Sequence, residues 1–247
     1  MTTVLKLGGS VVTEKDSPET IDGLALDRAA DAVAAAVEYP PNLVLVHGGG
    51  SFGHHNAEDH GVSSTAGTHD AGAAMDIHGA MTTLNRFVLG RLHERDVPAL
   101  PVHPFSAAAR DADAGLTLPT GQVATMLGEG FVPVLHGDLV AHEGEGATVV
   151  SGDELVVELA SALDADRVGL CSTVPGVLRE DEVIPCVESF DAVADVLGES
   201  EATDVTGGMA RKVELLLDLD APASIFDLDD LDRFLAGEAP GTTIEAK

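Results

Sequence analysis

The chain holds four lysines, and three of them, Lys6, Lys15 and Lys212, lie in or beside glycine turns. Lys6 ends an apolar stretch just before Gly8-Gly9-Ser10. A lysine inside such a stretch needs a partner, and glycines beside it let backbone N–H groups close around an anion. Lys212 stands one helical turn beyond Gly207-Gly208, able to reach back to an anion at the helix start. A further cluster reads His47-Gly48-Gly49-Gly50-Ser51-Phe52-Gly53-His54-His55. Gly48, Gly50 and Gly53 satisfy G-x-G-x-x-G, the dinucleotide fingerprint, but that motif normally follows the first strand of its unit and this one follows the second. The cluster also approaches G-x-x-x-x-G-K-[ST], with His54 and His55 in the lysine and hydroxyl places. What remains is a glycine turn entering a helix, an anion site flanked by imidazoles that could act as cations or as neutral N–H donors. The chemistry open to this set is phosphoryl transfer without a Walker lysine, with ammonium groups placed where backbone amides already gather phosphate.

Most of the chain is charged the other way. Asp plus Glu total 42 against 13 Lys plus Arg, a net charge of −29, with a pI near 4.3. Nucleic acids and anionic membranes both require positive potential, so neither is an expected partner. Apolar residues make up 45% of the 247, too many for a disordered acidic chain. The acidity is dispersed and lysine is depleted, which points to a protein kept soluble in concentrated salt, where self-repulsion is screened. No run approaches the ~18 apolar residues of a membrane span. The first residues lack a basic segment followed by a long apolar stretch, so no leader is expected and the cytoplasm is the expected location. Cys171 and Cys186 match no metal spacing and are expected as thiols. Eight of the ten histidines fall between His47 and His103. They form no H-E-x-x-H or Cys/His pattern, so no resident metal is expected.

Short apolar runs alternating with helical periodicity must position these residues. Strands are expected at Thr3–Leu7, 42–46, 97–102, 131–135, 167–171 and 223–226. Helices are expected over 26–37, 70–95, 155–163, 207–217 and 229–235. Ser151 and Glu154 have the spacing of a capping box at the third of these helix starts. Residues 178–185 read as a hairpin turning at Glu180-Asp181. Such alternation predicts an α/β fold with a mostly parallel sheet covered on both faces. Ligands in such sheets sit beyond the carboxyl ends of the strands, where the glycine clusters fall.

The order of these pieces resembles the amino acid kinase superfamily and, within it, the archaeal-type isopentenyl phosphate kinases. The resemblance runs from Lys6-Leu7-Gly8-Gly9-Ser10 through Lys15, the segment 47–54, His136-Gly137-Asp138, Ser151-Gly152-Asp153 and the segment 205–209 with Lys212, to Gly241-Thr242. The lysine–glycine motifs are general to the superfamily; the histidine ending Gly-Gly-Gly-Ser-Phe-Gly-His, His54, is more discriminating. The resemblance implies an open three-layer αβα sandwich, a single domain over 1–247 with an acceptor-phosphate lobe (1–150) and a nucleotide lobe (151–247). It implies transfer from ATP, bound with Mg²⁺, to isopentenyl phosphate, and a homodimer. Carried over by position, Lys6 and Lys212 would contact the ATP phosphates and the transferring group, Lys15 would stabilise the transition state and Asp153 would hold the lysines. Gly8, Gly9, Ser10, Gly50, Thr173, Gly207 and Gly208 would line the nucleotide. Gly49, Gly50, Gly152 and His54 would hold the acceptor phosphate. Met75, Ile77 and Met81 are candidates for the apolar pocket that a short branched alkene requires.

Two departures stand out. Thr173 and Pro175 occupy places where relatives commonly carry aspartates, and position 210 is Ala210 where some carry a lysine. Other readings stay open. One is a kinase of the same fold acting on fosfomycin, carbamate or N-acetylglutamate. Another is a non-catalytic anion-storage protein, against which the three lysines and Asp153 argue. A nucleotide-dependent dehydrogenase is the most distant.

Overall fold

The structure is a computed structural model that describes residues 1–37, 42–197 and 208–245. Its strands are β1 (Thr3–Leu7), β2 (Leu43–His47), β3 (Ala99–Pro101), β4 (Ala109–Arg110), β5 (Leu116–Thr117), β6 (Val132–His136), β7 (Asp138–His142), β8 (Gly146–Val150), β9 (Arg167–Ser172), β10 (Leu178–Arg179), β11 (Glu182–Val183), β12 (Cys186–Val187), β13 (Ala223–Asp227) and β14 (Thr242–Ile244). Its α-helices are α1 (Gly9–Val12), α2 (Gly23–Ala36), α3 (Gly50–Asp59), α4 (Ala71–His93), α5 (Gly121–Gly128), α6 (Gly152–Ala162), α7 (Ala194–Leu197), α8 (Gly208–Leu217) and α9 (Leu231–Leu235).

Eight strands form the main sheet in the order β12-β14-β13-β9-β1-β2-β6-β3. All neighbours pair in parallel except β13 and β14. The central strands are continuous apolar runs because both faces are covered. Period-two alternation sends Val4, Val46 and Leu170 to one face, where they meet Leu155 and Leu159 of α6 and Val213 of α8. Leu5, Leu45 and Phe226 go to the other face, against Leu26 and Val33 of α2, Leu92 of α4 and Phe234 of α9. The αβα layering expected from the alternation is therefore present.

The helix starts follow from their caps. Asp22 and Asp70 accept backbone N–H bonds at the heads of α2 and α4. The Ser151–Glu154 capping box forms in both directions, at 3.2 and 2.8 Å. The turn at Glu180-Asp181 also forms, with φ of 49° and 69°, joining β10 to β11. One feature was not expected: a second sheet in the order β5-β4-β7-β8. Two of its strands have only two residues, too few for periodicity to register. The β7–β8 hairpin of this sheet leads from Gly137 to Ser151 and so frames the site described next.

Candidate functional site

The carboxyl ends of β9, β1, β2 and β6 lie side by side, and their pairing continues one residue into the loops. Gly8 N–H donates to Cys171 O at 2.8 Å, Gly48 N–H to Leu7 O at 2.9 Å and Gly137 N–H to His47 O at 3.0 Å. Three turns are thus held in lateral register. Two of them touch backbone to backbone: a Cβ on Gly9 would lie 2.0 Å from Gly50 N, and one on Gly50, where φ is +49°, would lie 2.1 Å from Thr13 Oγ1. No other residue fits at either place. A Cβ on Gly137 would stand 3.6 Å from Gly152 N and 3.8 Å from Gly49 N. Two amide nitrogens from different turns therefore converge on one point. Gly152 also opens α6, so its N–H has no partner within the helix and the helix dipole favours an anion there.

These turns wall a cavity of about 170 Å³. Lys6 projects into it from the centre of the sheet with only 6% of its surface exposed, and Nζ lies 2.6 Å from Asp153 Oδ1. A buried ammonium requires such a carboxylate. Asp153 sits in the first turn of α6, and its other oxygen, Oδ2, lies 3.9 Å from Lys212 Nζ. Lys212 reaches back along α8 to donate to Gly208 O at 3.3 Å. One carboxylate thus faces two ammonium groups drawn from opposite ends of the chain.

Of the residues singled out from the sequence, Lys6, Gly8, Gly9, Ser10, Gly49, Gly50, His54, Gly152, Asp153, Thr173 and Lys212 all line this cavity. Lys15 does not. It is exposed in the loop between Thr13 and Ile21, a loop closed at its base by a bridge between those two residues. Gly208 supports Lys212 through its carbonyl and does not line the cavity. Gly207 lies outside the described residues. Ile77, Met81, Ala57 and Val149 form an apolar end, with the sulfur of Met81 packed over Gly49 and Gly53. Met75 is 56% exposed, because on α4 it falls on the face opposite the one that carries Ile77 inward. Among the described residues no group of three or more His, Cys, Asp or Glu side chains is placed to hold a metal ion.

Asp138 and Gly137 also line the cavity but carried no assigned role in the sequence reading. Their signal was the repeated His-Gly at the ends of two apolar strands, His47-Gly48 and His136-Gly137, which the parallel register sets opposite one another. Asp138 accepts from His78 Nδ1 at 2.9 Å and from the Leu139 N–H at 2.8 Å. Burial pushes the Asp138 carboxyl above the usual range, and the Asp138 hydrogen bond pushes His78 up. Burial lowers His47 and drives His136 well below the ordinary imidazole value. Burial likewise pushes the Cys171 thiol up to about 12, so it is inert beside the site.

Comparison with known proteins agrees with this geometry. The sequence model of the amino acid kinase family matches residues 1–219. An isopentenyl phosphate kinase of Haloferax volcanii is 62% identical over 245 residues, covering 99% of this chain and 98% of its own. One of Methanocaldococcus jannaschii is 31% identical and covers 99% of each. Among solved structures, one of an isopentenyl phosphate kinase superposes with a TM-score of 0.83 at 27% identity, covering 99% of this chain and 100% of its own.

Proposed function

This chain belongs to the amino acid kinase family, and we infer that it transfers the terminal phosphoryl group of ATP to isopentenyl phosphate, giving isopentenyl diphosphate and ADP. The observation that carries this reading is the make-up of one cavity. Converging amides and two ammonium groups suit an anion, and an apolar wall of Ile77, Met81, Ala57 and Val149 adjoins them. A phosphate bearing a short branched hydrocarbon matches both halves. The relatives named isopentenyl phosphate kinase support the same acceptor.

The chemistry asked of the protein is electrostatic. The acceptor is already a phosphate monoester, so no base is needed to strip a proton from an alcohol. Two anions must be brought in line, and positioning with charge neutralisation supplies the catalysis. In this reading the amides of Gly49 and Gly152 and the His54 side chain hold the acceptor phosphate. Gly8, Gly9 and Ser10 line the donor phosphates, with Gly50 at the meeting point of the two turns. Lys6 and Lys212 take the charge of the transferring group, and Asp153 keeps both ammonium groups aimed. Thr173 lies at the nucleotide end, and Gly208 opens α8, from which Lys212 projects. Lys15 joins this set only when the loop it occupies folds over the cavity.

Among the described residues, Asp138 and Asp153 are the carboxylates lining the cavity. Both are engaged by cationic or imidazole partners. A donor set so committed fits Mg²⁺ entering on the nucleotide phosphates, where it supplies charge neutralisation, rather than resting on protein ligands. The lobes divide near residue 150, with the acceptor phosphate held from 1–150 and Gly152, and the nucleotide mainly from 151–247. We assign the protein to the cytoplasm, in concentrated salt, as a homodimer. Among the described residues no helix is long and apolar enough to cross a membrane.

The test is the rate of ADP release in concentrated KCl with isopentenyl phosphate, fosfomycin, carbamate and N-acetylglutamate as acceptors. Turnover with isopentenyl phosphate is expected to dominate. Turnover confined to another acceptor would overturn the reading.

A further inference from the structure

Behind the glycine turns lies a layer of imidazoles for which the proposed transfer supplies no role. His47 and His136 end adjacent parallel strands in register. Both are fully buried, and their rings stack at 5.4 Å between centroids. Each ring bonds the carbonyl of the residue that follows it: His47 Nδ1 to Gly48 O at 3.0 Å, and His136 Nδ1 to Gly137 O at 2.9 Å. A carbonyl oxygen only accepts, so the hydrogen in each ring sits on Nδ1. The remaining nitrogens are then acceptors. His136 Nε2 is met by His103 Nδ1 at 2.8 Å. His47 Nε2 lies 3.2 Å from Asn85 Oδ1, while the Asn85 NH₂ is buried without a partner; turning the amide over brings the NH₂ to the ring and satisfies both groups.

The consequence follows from the peptide plane. In a trans peptide the C=O of one residue and the N–H of the next point in opposite directions. Fixing Gly48 O against the His47 ring therefore aims the Gly49 N–H away from the ring. Fixing Gly137 O against the His136 ring does the same for the Asp138 N–H. Gly49 N is one of the two nitrogens that converge beside Gly137. Glycine has no side chain to hold its own peptides, so an outside brace decides which way these groups face. Burial favours the neutral ring in both histidines, consistent with one donor and one acceptor nitrogen each.

Resting on the acceptor assignment above, we propose that His47 and His136 are positioning residues: neutral Nδ1–H imidazoles that brace the Gly48 and Gly137 carbonyls from behind. Through the Gly48–Gly49 peptide His47 orients the Gly49 N–H that receives the acceptor phosphate, and His136 holds the adjoining Gly137 turn in place beside it. They touch no substrate. Preorganised donors of this kind carry much of the rate in anion-transfer sites.

The amide nitrogen of asparagine can replace Nδ1, and that of glutamine falls where Nε2 was, so the pair separates bracing from bulk. His47→Asn is expected to keep the acceptor KM within about threefold of the unaltered protein. His47→Gln is expected to raise it about tenfold or more while leaving the ATP KM unchanged. Equal acceptor KM values for the two variants, or an ATP KM that moves with the acceptor KM, would overturn the proposal. Should either variant fail to fold, the side-chain ¹⁵N spectrum of the unaltered protein decides. Both rings are expected as neutral Nδ1–H tautomers, and an Nε2–H tautomer or an imidazolium at either position would overturn it. Absence of turnover of isopentenyl phosphate by the unaltered protein would instead defeat the acceptor assignment and leave the tautomer test standing.

Discussion

Lys6 Nζ and Asp153 Oδ1 are 2.6 Å apart, joined across 147 residues of sequence and almost wholly withdrawn from solvent. The pair ties the central strand to the N-terminus of α6 at the floor of the cavity. Taking either charge away leaves the other buried and uncompensated, which costs about 3–5 kcal/mol. Asp153→Asn is therefore expected to lower the unfolding free energy by about that amount and to depress kcat sharply, because Lys212 loses its anchor as well. Lys6→Met combined with Asp153→Leu should be less destabilised than the sum of the two single changes. Denaturant titration of the four proteins in a double-mutant cycle checks this, and strict additivity would contradict it.

His54 lines the cavity, and the proposed function puts it on the acceptor phosphate. His54→Ala is expected to reduce kcat/KM for isopentenyl phosphate by about 10²–10³-fold, the usual effect of removing one donor to developing charge. ATP affinity, measured by calorimetry, should stay near that of the unaltered protein. Equal loss of ATP affinity would place His54 on the other substrate.

The histidine layer makes a signed prediction about pH. The pKa values of His47, His103 and His136 are lowered in the folded protein, chiefly by burial. The unfolded chain therefore binds more protons than the native one below about pH 6.5, and stability falls on acidification through that region. His78 is raised by Asp138 and works in the opposite direction: its contribution is present at low pH and lost as pH rises through its folded value. Burial also raises the Asp138 and Glu158 carboxyls, which act with His78, but from carboxylate values that lie below this range. Among the imidazoles three are lowered and one raised, which gives a net loss of Tm from pH 7.5 to 5.5. His136→Asn removes the most deeply shifted ring, and its Tm profile over this range should be flatter.

The surface charge of −29 predicts the effect of salt. At 0.1 M the screening length is about 10 Å, and at 1 M it is about 3 Å. Raising KCl through this range at constant pH is expected to raise Tm progressively as repulsion among surface carboxylates is screened. A Tm independent of KCl would contradict the salt-adapted reading.

Much of this site was legible before the fold was known, and for a physical reason. Lysine is so scarce here that Lys6 and Lys212 stood out beside their glycines, and both line the cavity; Asp153 stood inside a capping box whose spacing set a helix start. Glycines at strand ends could be read as close backbone approaches, as the contact of Gly9 with Gly50 shows. Less could be read where contact depends on long-range packing. The place of Lys15 is set by the conformation of an exposed loop. The outward turn of Met75 follows from the rotation of α4, which shifts with a single residue of phase. The small sheet is built partly from two-residue strands that leave no pattern. The link from His78 to Asp138 spans 60 residues and became visible only when the hairpin of β7 and β8 was in place.

The most direct measurement is the ³¹P spectrum of the protein incubated with ATP, Mg²⁺ and isopentenyl phosphate in concentrated KCl. The expected result is loss of the acceptor monoester resonance and growth of a coupled pair from an organic diphosphate, in step with ADP. ATP consumed with release of inorganic phosphate alone, or an acceptor resonance unchanged at full ATP turnover, would contradict transfer to isopentenyl phosphate.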